Sequence, residues 1–200
     1  MPGTGGLPGR AEDDRDLVEL ARRGDRDAFG ALVDRHQDRA FNLAYQMVRN
    51  RDDALDIAQD AFARAFASLP GFKGEASFTT WLHRIVVNLA IDSLRRRQRS
   101  GETAYDDTQA VSEEQRSEPS APDDPAAVLE AKQVRALIVA GIAQLPPTQR
   151  AVLILREIEG LSYEEISRTV GCNIGTVMSR LFYARRRLQQ ALKAHLRDLR

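Results

Sequence analysis

Apolar residues recur along this chain at steps of three and four, the signature of helices that bury one face, and nowhere in the sustained alternation of a half-buried strand. The pattern predicts an all-α fold. A first helix is expected from about Asp14 to Arg23, with Gly24 as its stop and Asp25 as the cap of a second that reaches Val48 or Arg49. In that second helix Phe29, Leu32, Val33, Ala40, Phe41, Ala44 and Tyr45 share one stripe. A third follows Asn50, with Leu55, Ala58, Phe62, Ala65 or Phe66, and Leu69 assigned to its inner face and Pro70-Gly71 as its end. After the loop 72–77, a fourth runs from Phe78 to about Arg97 and turns Phe78, Leu82, Ile85, Val86 and Leu89 inward.

From Ser100 to Asp124 the composition changes to Ser, Glu, Asp, Gln and Pro with few large apolar residues, which predicts a flexible linker. Fully extended, it could reach about 80 Å at roughly 3.3 Å per residue. Beyond it Pro125 suits the first turn of a helix running to Gln144, and Pro146-Pro147 precede another from Thr148 to Ile158. Glu159-Gly160 is the next stop. The expected division is a disordered tail over 1–12, a helical domain over 13–99, the linker over 100–124 and a second helical domain over 125–195.

The last part of that second domain carries the most specific local pattern. Ser162 and Glu165 form a capping box for a short helix to Val170, Gly171 permits a tight turn, and a long basic helix starts at Asn173. Ile166 and Val170 from the first helix and Val177 and Leu181 from the second are placed to lock the pair, which is the helix-turn-helix layout. That leaves Asn173, Thr176, Ser179, Arg180 and Tyr183 outward, where a recognition helix meets base edges and phosphates, and Arg185, Arg186 and Arg187 form a phosphate-contacting patch.

Charge sharpens the picture. The formal net charge is zero, but the signs are segregated. Residues 101–130 hold Glu102, Asp106, Asp107, Glu113, Glu114, Glu118, Asp123, Asp124 and Glu130 against the single base Arg116. From Gly141 onward bases outnumber acids ten to five, and Arg95, Arg96, Arg97 and Arg99 end the first domain. Polyanion-binding ends joined by an acidic strap fit this asymmetry, and they raise the expectation that the domains pack against each other, or against a partner protein, when idle.

Other function classes lose ground. The longest apolar runs, 85–90 and 151–155, fall far short of the roughly 20 residues of a bilayer span, and MPGTGGLPGR has no apolar signal core, so a cytoplasmic protein without membrane insertion is expected. A single cysteine, Cys172, and three scattered histidines, His36, His83 and His195, offer no metal spacing. His83 is expected at the surface. No nucleophile with a paired base, glycine-rich phosphate loop or carboxylate dyad points to an enzyme, and no cofactor is expected.

Two stretches resemble a known family. LPPTQRAVLILREIEGLSYEEISRTVGCNIGTVMSRLFYARRRL is similar to region four of the extracytoplasmic-function sigma factors of the sigma-70 family. DALDIAQDAFARAF followed by FKGEASFTTWLHRIVVNLAIDSLRRR is similar to their region two. The resemblance implies a factor that binds core RNA polymerase, at the clamp coiled coil of the largest subunit and at the flap, and directs promoter-specific initiation. It also implies control by an anti-sigma factor in a stress or envelope response.

By that resemblance, Asp53, Asp56, Gln59, Asp60 and Arg64 would grip the clamp, with Leu55 where an acid is common. Phe72, Lys73, Phe78, Trp81, Arg84, Asn88, Arg95 and Arg96 would capture and melt the minus-ten element, which needs stacking surfaces with cationic support. Arg150, Tyr163, Asn173, Thr176, Met178, Ser179, Arg180, Phe182, Tyr183, Arg186 and Arg187 would face the minus-thirty-five element. Met178 and Tyr183 stand where a base is common, and Ile174 where a polar residue or proline is usual. A methionine can touch a thymine methyl but cannot make the bidentate guanine contact of an arginine. The main alternative is a conventional regulator with a helical sensor or dimerisation domain, which would bind palindromic duplex as a dimer without polymerase. A polymerase-associated scaffold or an anti-sigma protein would not need the second DNA-reading surface over 72–97.

Overall fold

The computed structural model describes the backbone of residues 10–100 and 125–198 and the side chains of 14–100 and 132–193. Residues 1–9 of the expected tail and 101–124 of the expected linker lie outside the described residues. The described residues form α1 (Arg10–Arg22), α2 (Arg26–Val48), α3 (Arg51–Ser68), a 3-10 turn (Leu69–Gly71), α4 (Phe78–Ser100), α5 (Pro125–Ala143), α6 (Pro147–Glu157), α7 (Tyr163–Val170) and α8 (Ile174–Asp198), with no strand among them. Helix α1 begins at Arg10 rather than Asp14 and takes in the last residues of the expected tail.

The first unit, α1 to α4, starts its helices where side chains satisfy orphan backbone donors. The Asp25 carboxylate accepts from the N–H groups of Asp27 and Ala28, and Asn50 Oδ1 accepts from Asp53 N–H at 2.9 Å. Helix α3 corrects the sequence reading. Its buried face is Ala54, Ile57, Ala58, Ala61, Phe62 and Ala65, whereas Leu55 and Phe66 are 40% and 43% exposed. Four alanines let α3 lie close against its neighbours, so bulk was a poor guide to which side faces in. Phe66 instead rests edge-on against Phe29 at 4.9 Å.

In the second unit Gly141 serves close packing: a Cβ there would sit 2.6 Å from Leu188 Cδ1, so α5 approaches α8 through a position without a side chain. The predicted helix-turn-helix forms. Ser162 Oγ accepts from Glu165 N–H while the Glu165 carboxylate accepts from Ser162 N–H at 2.8 Å, the two halves of a capping box. Gly171 takes the left-handed conformation at φ 65° and ψ 44°, which an L side chain would strain. Ile166, Val177, Leu181 and Ala184 are fully buried between α7, α8 and α6.

The two units pack against each other, α4 on α7 and α6, and α2 on α6, so that one continuous apolar core runs through both. Polar contacts rivet this seam. Arg150 in α6 donates to the carbonyl of Met47 in the last turn of α2, and to those of Ala143 and Leu145 in its own unit. The last carbonyls of a helix lack intrahelical partners and carry the negative end of its dipole, so a guanidinium is well placed there. Glu159, in the turn after α6, accepts from Arg39 Nε of α2 at 2.9 Å. His83 of α4 lies 3.7 Å from the same carboxylate.

Candidate nucleic-acid interface

Three surfaces carry the residues that the sequence singled out. On α3, Asp56, Gln59, Asp60 and Arg64 are exposed on the face opposite the alanine row. Asp53 is half-buried and forms an ion pair with Arg97 of α4 at 2.8 Å, so part of its charge is already neutralised. Asp52 is exposed one turn before Asp56 and extends the acidic row. The sequence reading omitted it; the three- and four-residue spacing could have found it.

The loop before α4 is organised around an aromatic cluster. Phe72 packs on Trp81 at 4.8 Å, Phe78 on Trp81 at 5.8 Å, and Phe78 on His36 at 5.2 Å. Phe72 and Phe78 are buried at 9% and 4% exposure, which corrects their placement among DNA-stacking residues. They shape the loop from beneath, and Trp81, half-buried above them, keeps one side open. Ser77 caps the helix, its Oγ accepting from Thr80 N–H. Lys73, Arg84, Asn88, Arg95 and Arg96 are exposed.

His83 is the second correction. Expected at the surface, it is 1% exposed, and neither ring nitrogen has a hydrogen-bond partner among the described residues. Burial, then the nearby positive charges of Arg39 and His36, lower its pKa to about 3, so the ring is neutral at physiological pH.

The third surface is α8. Val177, Leu181 and Ala184 turn inward, leaving Ile174, Met178, Ser179, Phe182, Tyr183 and Arg186 outward. Asn173 Oδ1 accepts from Thr176 N–H at 2.7 Å, capping the helix. Thr176 is half-buried, and Arg180 leans back with Nη1 3.6 Å from Cys172 Sγ. Arg186 and Arg187 are exposed, whereas Arg185 pairs with Glu157. Tyr163 is half-buried beneath the Arg156 guanidinium, 5.1 Å from its ring centre. Arg150, expected at a phosphate, is 6% exposed with its guanidinium on three carbonyls, and in this packed arrangement it is a seam residue. Burial and the charge of Arg49 lower its pKa to about 10, which leaves it charged at neutral pH.

The surfaces converge. A cleft of about 410 Å³ between the units is lined by Arg64 of α3, Asn88, Asp92 and Arg95 of α4, Thr148 of α6 and Arg180 of α8. Residues assigned to all three surfaces thus meet in one electropositive hollow, with Asp92 as its one carboxylate. No group of three or more His, Cys, Asp or Glu among the described residues could hold a metal ion, and no described helix is long and apolar enough to cross a membrane.

Residues 32–100 match the family model for sigma-70 region 2, and residues 135–188 that for sigma-70 region 4. The RNA polymerase sigma-H factor of Pseudomonas aeruginosa is 38% identical over 94% of this chain and 97% of its own length. The ECF RNA polymerase sigma-E factor of Escherichia coli K12 is 34% identical over 92% of this chain and 96% of its own length. The chain belongs to the extracytoplasmic-function sigma factors of the sigma-70 family. Solved structures place the fold with the same group. CnrH, in complex with the cytosolic domain of CnrY, is 27% identical with a TM-score of 0.63 over 91% of this chain and 98% of that one. The sigma factor RpoE of Bartonella quintana, in complex with the anti-sigma factor NepR, is 26% identical with a TM-score of 0.59 over 82% of this chain and 96% of that one. In this sigma factor, α1 precedes the matched part of region two but belongs to the same unit, since Asp14 pairs with His36 at 2.9 Å and Arg35 at 3.3 Å.

Proposed function

We propose that this sigma factor docks on core RNA polymerase through the exposed row Asp52, Asp56, Gln59, Asp60 and Arg64 of α3. It opens the minus-ten element with Trp81, Lys73 and the exposed face of α4, Arg84, Asn88, Arg95 and Arg96. It reads the minus-thirty-five element with the outer face of α8, from Ile174 to Arg187. The observation that carries this reading is the separation of functions on region two: an acidic helix face and a basic helix face project from one rigid core. The acids suit a cationic protein surface, and the bases suit a melted, polyanionic strand. In this division the protein acts by binding and strand capture in the cytoplasm, with no covalent step of its own. The complexes named for CnrH and for RpoE of B. quintana support a further partner here, an anti-sigma protein that holds the two units together.

The test of the docking face is Asp56→Arg with Asp60→Arg. Both positions are exposed, so the helical fold and melting temperature should stay as in the wild type. Co-sedimentation with core polymerase and run-off transcription should both be lost, and retained polymerase binding would refute the assignment of this face.

A further inference from the structure

Much of the exposed surface in the first half of α8 is apolar. Ile174, Met178 and Phe182 recur at steps of four and are 40%, 54% and 60% exposed, an apolar row that flanks the stripe of buried Val177 and Leu181. Several polar groups nearby are engaged within the protein, while Tyr183, 51% exposed, rests its ring edge-on against Phe182. Asn173 Oδ1 is held by Thr176 N–H, Ser179 Oγ donates to the Thr176 carbonyl at 3.0 Å, and Arg180 is drawn back toward Cys172 and the cleft between the units. Beyond them Arg185 pairs with Glu157 and Arg186 is exposed, in line with a contact to the backbone of the duplex.

In the major groove the one apolar landmark on a base edge is the C5-methyl of thymine, whereas guanine is read by an arginine or lysine. We propose that this sigma factor recognises its upstream promoter element by thymine methyl groups packed against Ile174, Met178 and Phe182, and not by a guanine. The occupant is duplex DNA because the apolar row is continuous with exposed Arg186 and Arg187 on the same helix, and the helix is the second of a capped helix-turn-helix. At about 1.5 Å per residue the row spans about 12 Å, which at about 3.4 Å per base pair confines the thymines to three or four consecutive pairs. Gly175 beside it carries no side chain to hold the helix off the groove.

The inference rests on α8 being the upstream reader, and the experiment separates the two. Wild-type and Met178→Arg holoenzymes, each assembled with core polymerase, initiate from a promoter library randomised over the upstream element, and the selected templates are sequenced. The best wild-type template is then resynthesised with deoxyuridine for thymidine there, which deletes only the methyl groups. The wild type should select T·A pairs, and initiation should fall roughly fourfold for each contacted methyl lost, the value of burying one such group. Met178→Arg should move selection at one position to guanine and lose part of the uracil sensitivity. Selection of guanine by the wild type, with a shift in the variant, overturns the methyl reading while α8 remains the reader. An unchanged motif in Met178→Arg together with insensitivity to uracil overturns both, and assigns the apolar row to a protein partner.

Discussion

The seam between the two units should open when its polar rivets are removed. Arg150→Leu keeps an apolar side chain in a site that is 6% exposed, and deletes the charge-assisted hydrogen bond to the Met47 carbonyl. A hydrogen bond to a charged group is worth about 1.5–3 kcal/mol. Glu159→Gln deletes the ion pair with Arg39, which is half exposed and so contributes about 0.2–1 kcal/mol after screening. Acting independently, the two changes shift the equilibrium between packed and separated units by about 2–4 kcal/mol, or roughly 30- to 1,000-fold. Spin labels at Asp34→Cys on α2 and Gln189→Cys on α8, both exposed, in a Cys172→Ser background report the distance between the units. The wild-type seam should give one narrow distribution, and the double variant a broad, longer one with unchanged helicity by circular dichroism. A narrow, wild-type distribution in a double variant of full helicity would show that the apolar contacts alone hold the seam, and the rivet argument would fail.

Two further outcomes follow from single groups. His83 is held neutral with a pKa of about 3 against 6.5 unfolded, so stability is complete above about pH 6.5 and falls by about 1.4 kcal/mol per pH unit on acidification below it. Urea titrations at pH 7.5 and 5.5 should show that loss in the wild type and much less of it in His83→Leu; equal losses in both would remove His83 as the cause. Ser162→Ala should cost about 1 kcal/mol and lower the melting temperature by about 2–4 °C at pH 7. The Ser162 N–H and hydroxyl hold the Glu165 carboxyl below its ordinary value. The box therefore contributes fully above about pH 4.5 and fades as pH falls through the depressed value, so the gap between variant and wild type should narrow in acid.

Helix boundaries were legible wherever the stop or start is written in one residue's chemistry. Asp25, Asn50, Ser162 and Gly171 each satisfy or release the backbone locally, and each sits in the structure at the predicted end. The inner face of α3 was misread because small residues leave a weak hydrophobic signal, although they set how closely two helices approach. Arg150 and His83 could not be placed from their neighbours in sequence at all. Arg150 is buried by a carbonyl from α2 and His83 by a carboxylate after α6, partners more than seventy positions away that only the packing of the two units brings near. For α8 the outward positions followed from the 3.6-residue period, but which polar groups are free to read a base did not. That depends on hydrogen bonds such as those of Asn173 and Ser179, which take acceptors and donors out of circulation.

On the proposed residue roles, the packed arrangement and promoter reading exclude each other on geometry. Elements named for positions minus ten and minus thirty-five lie about 25 base pairs apart, roughly 85 Å at about 3.4 Å per pair. Asn88 and Arg95, proposed for the minus-ten element, and Arg180, on the proposed recognition helix, line one cleft of about 410 Å³, and no duplex could present both elements inside it. Counted along the sequence, the segment between Ser100 and Pro125 could reach at most about 80 Å at roughly 3.3 Å per residue, comparable with that separation. On that proposal the same arginines belong to two exclusive states. Packed, Arg64, Arg95 and Arg180 face one another with a single carboxylate among them, a repulsion that the apolar core and the rivets at Met47 and Glu159 must outweigh. On the proposed roles, separation would let Arg64 meet a protein surface of opposite sign and Arg95 a polyanion. Polymerase and promoter thus need no lever to open the molecule; they need only bind the released surfaces more tightly than the seam binds itself.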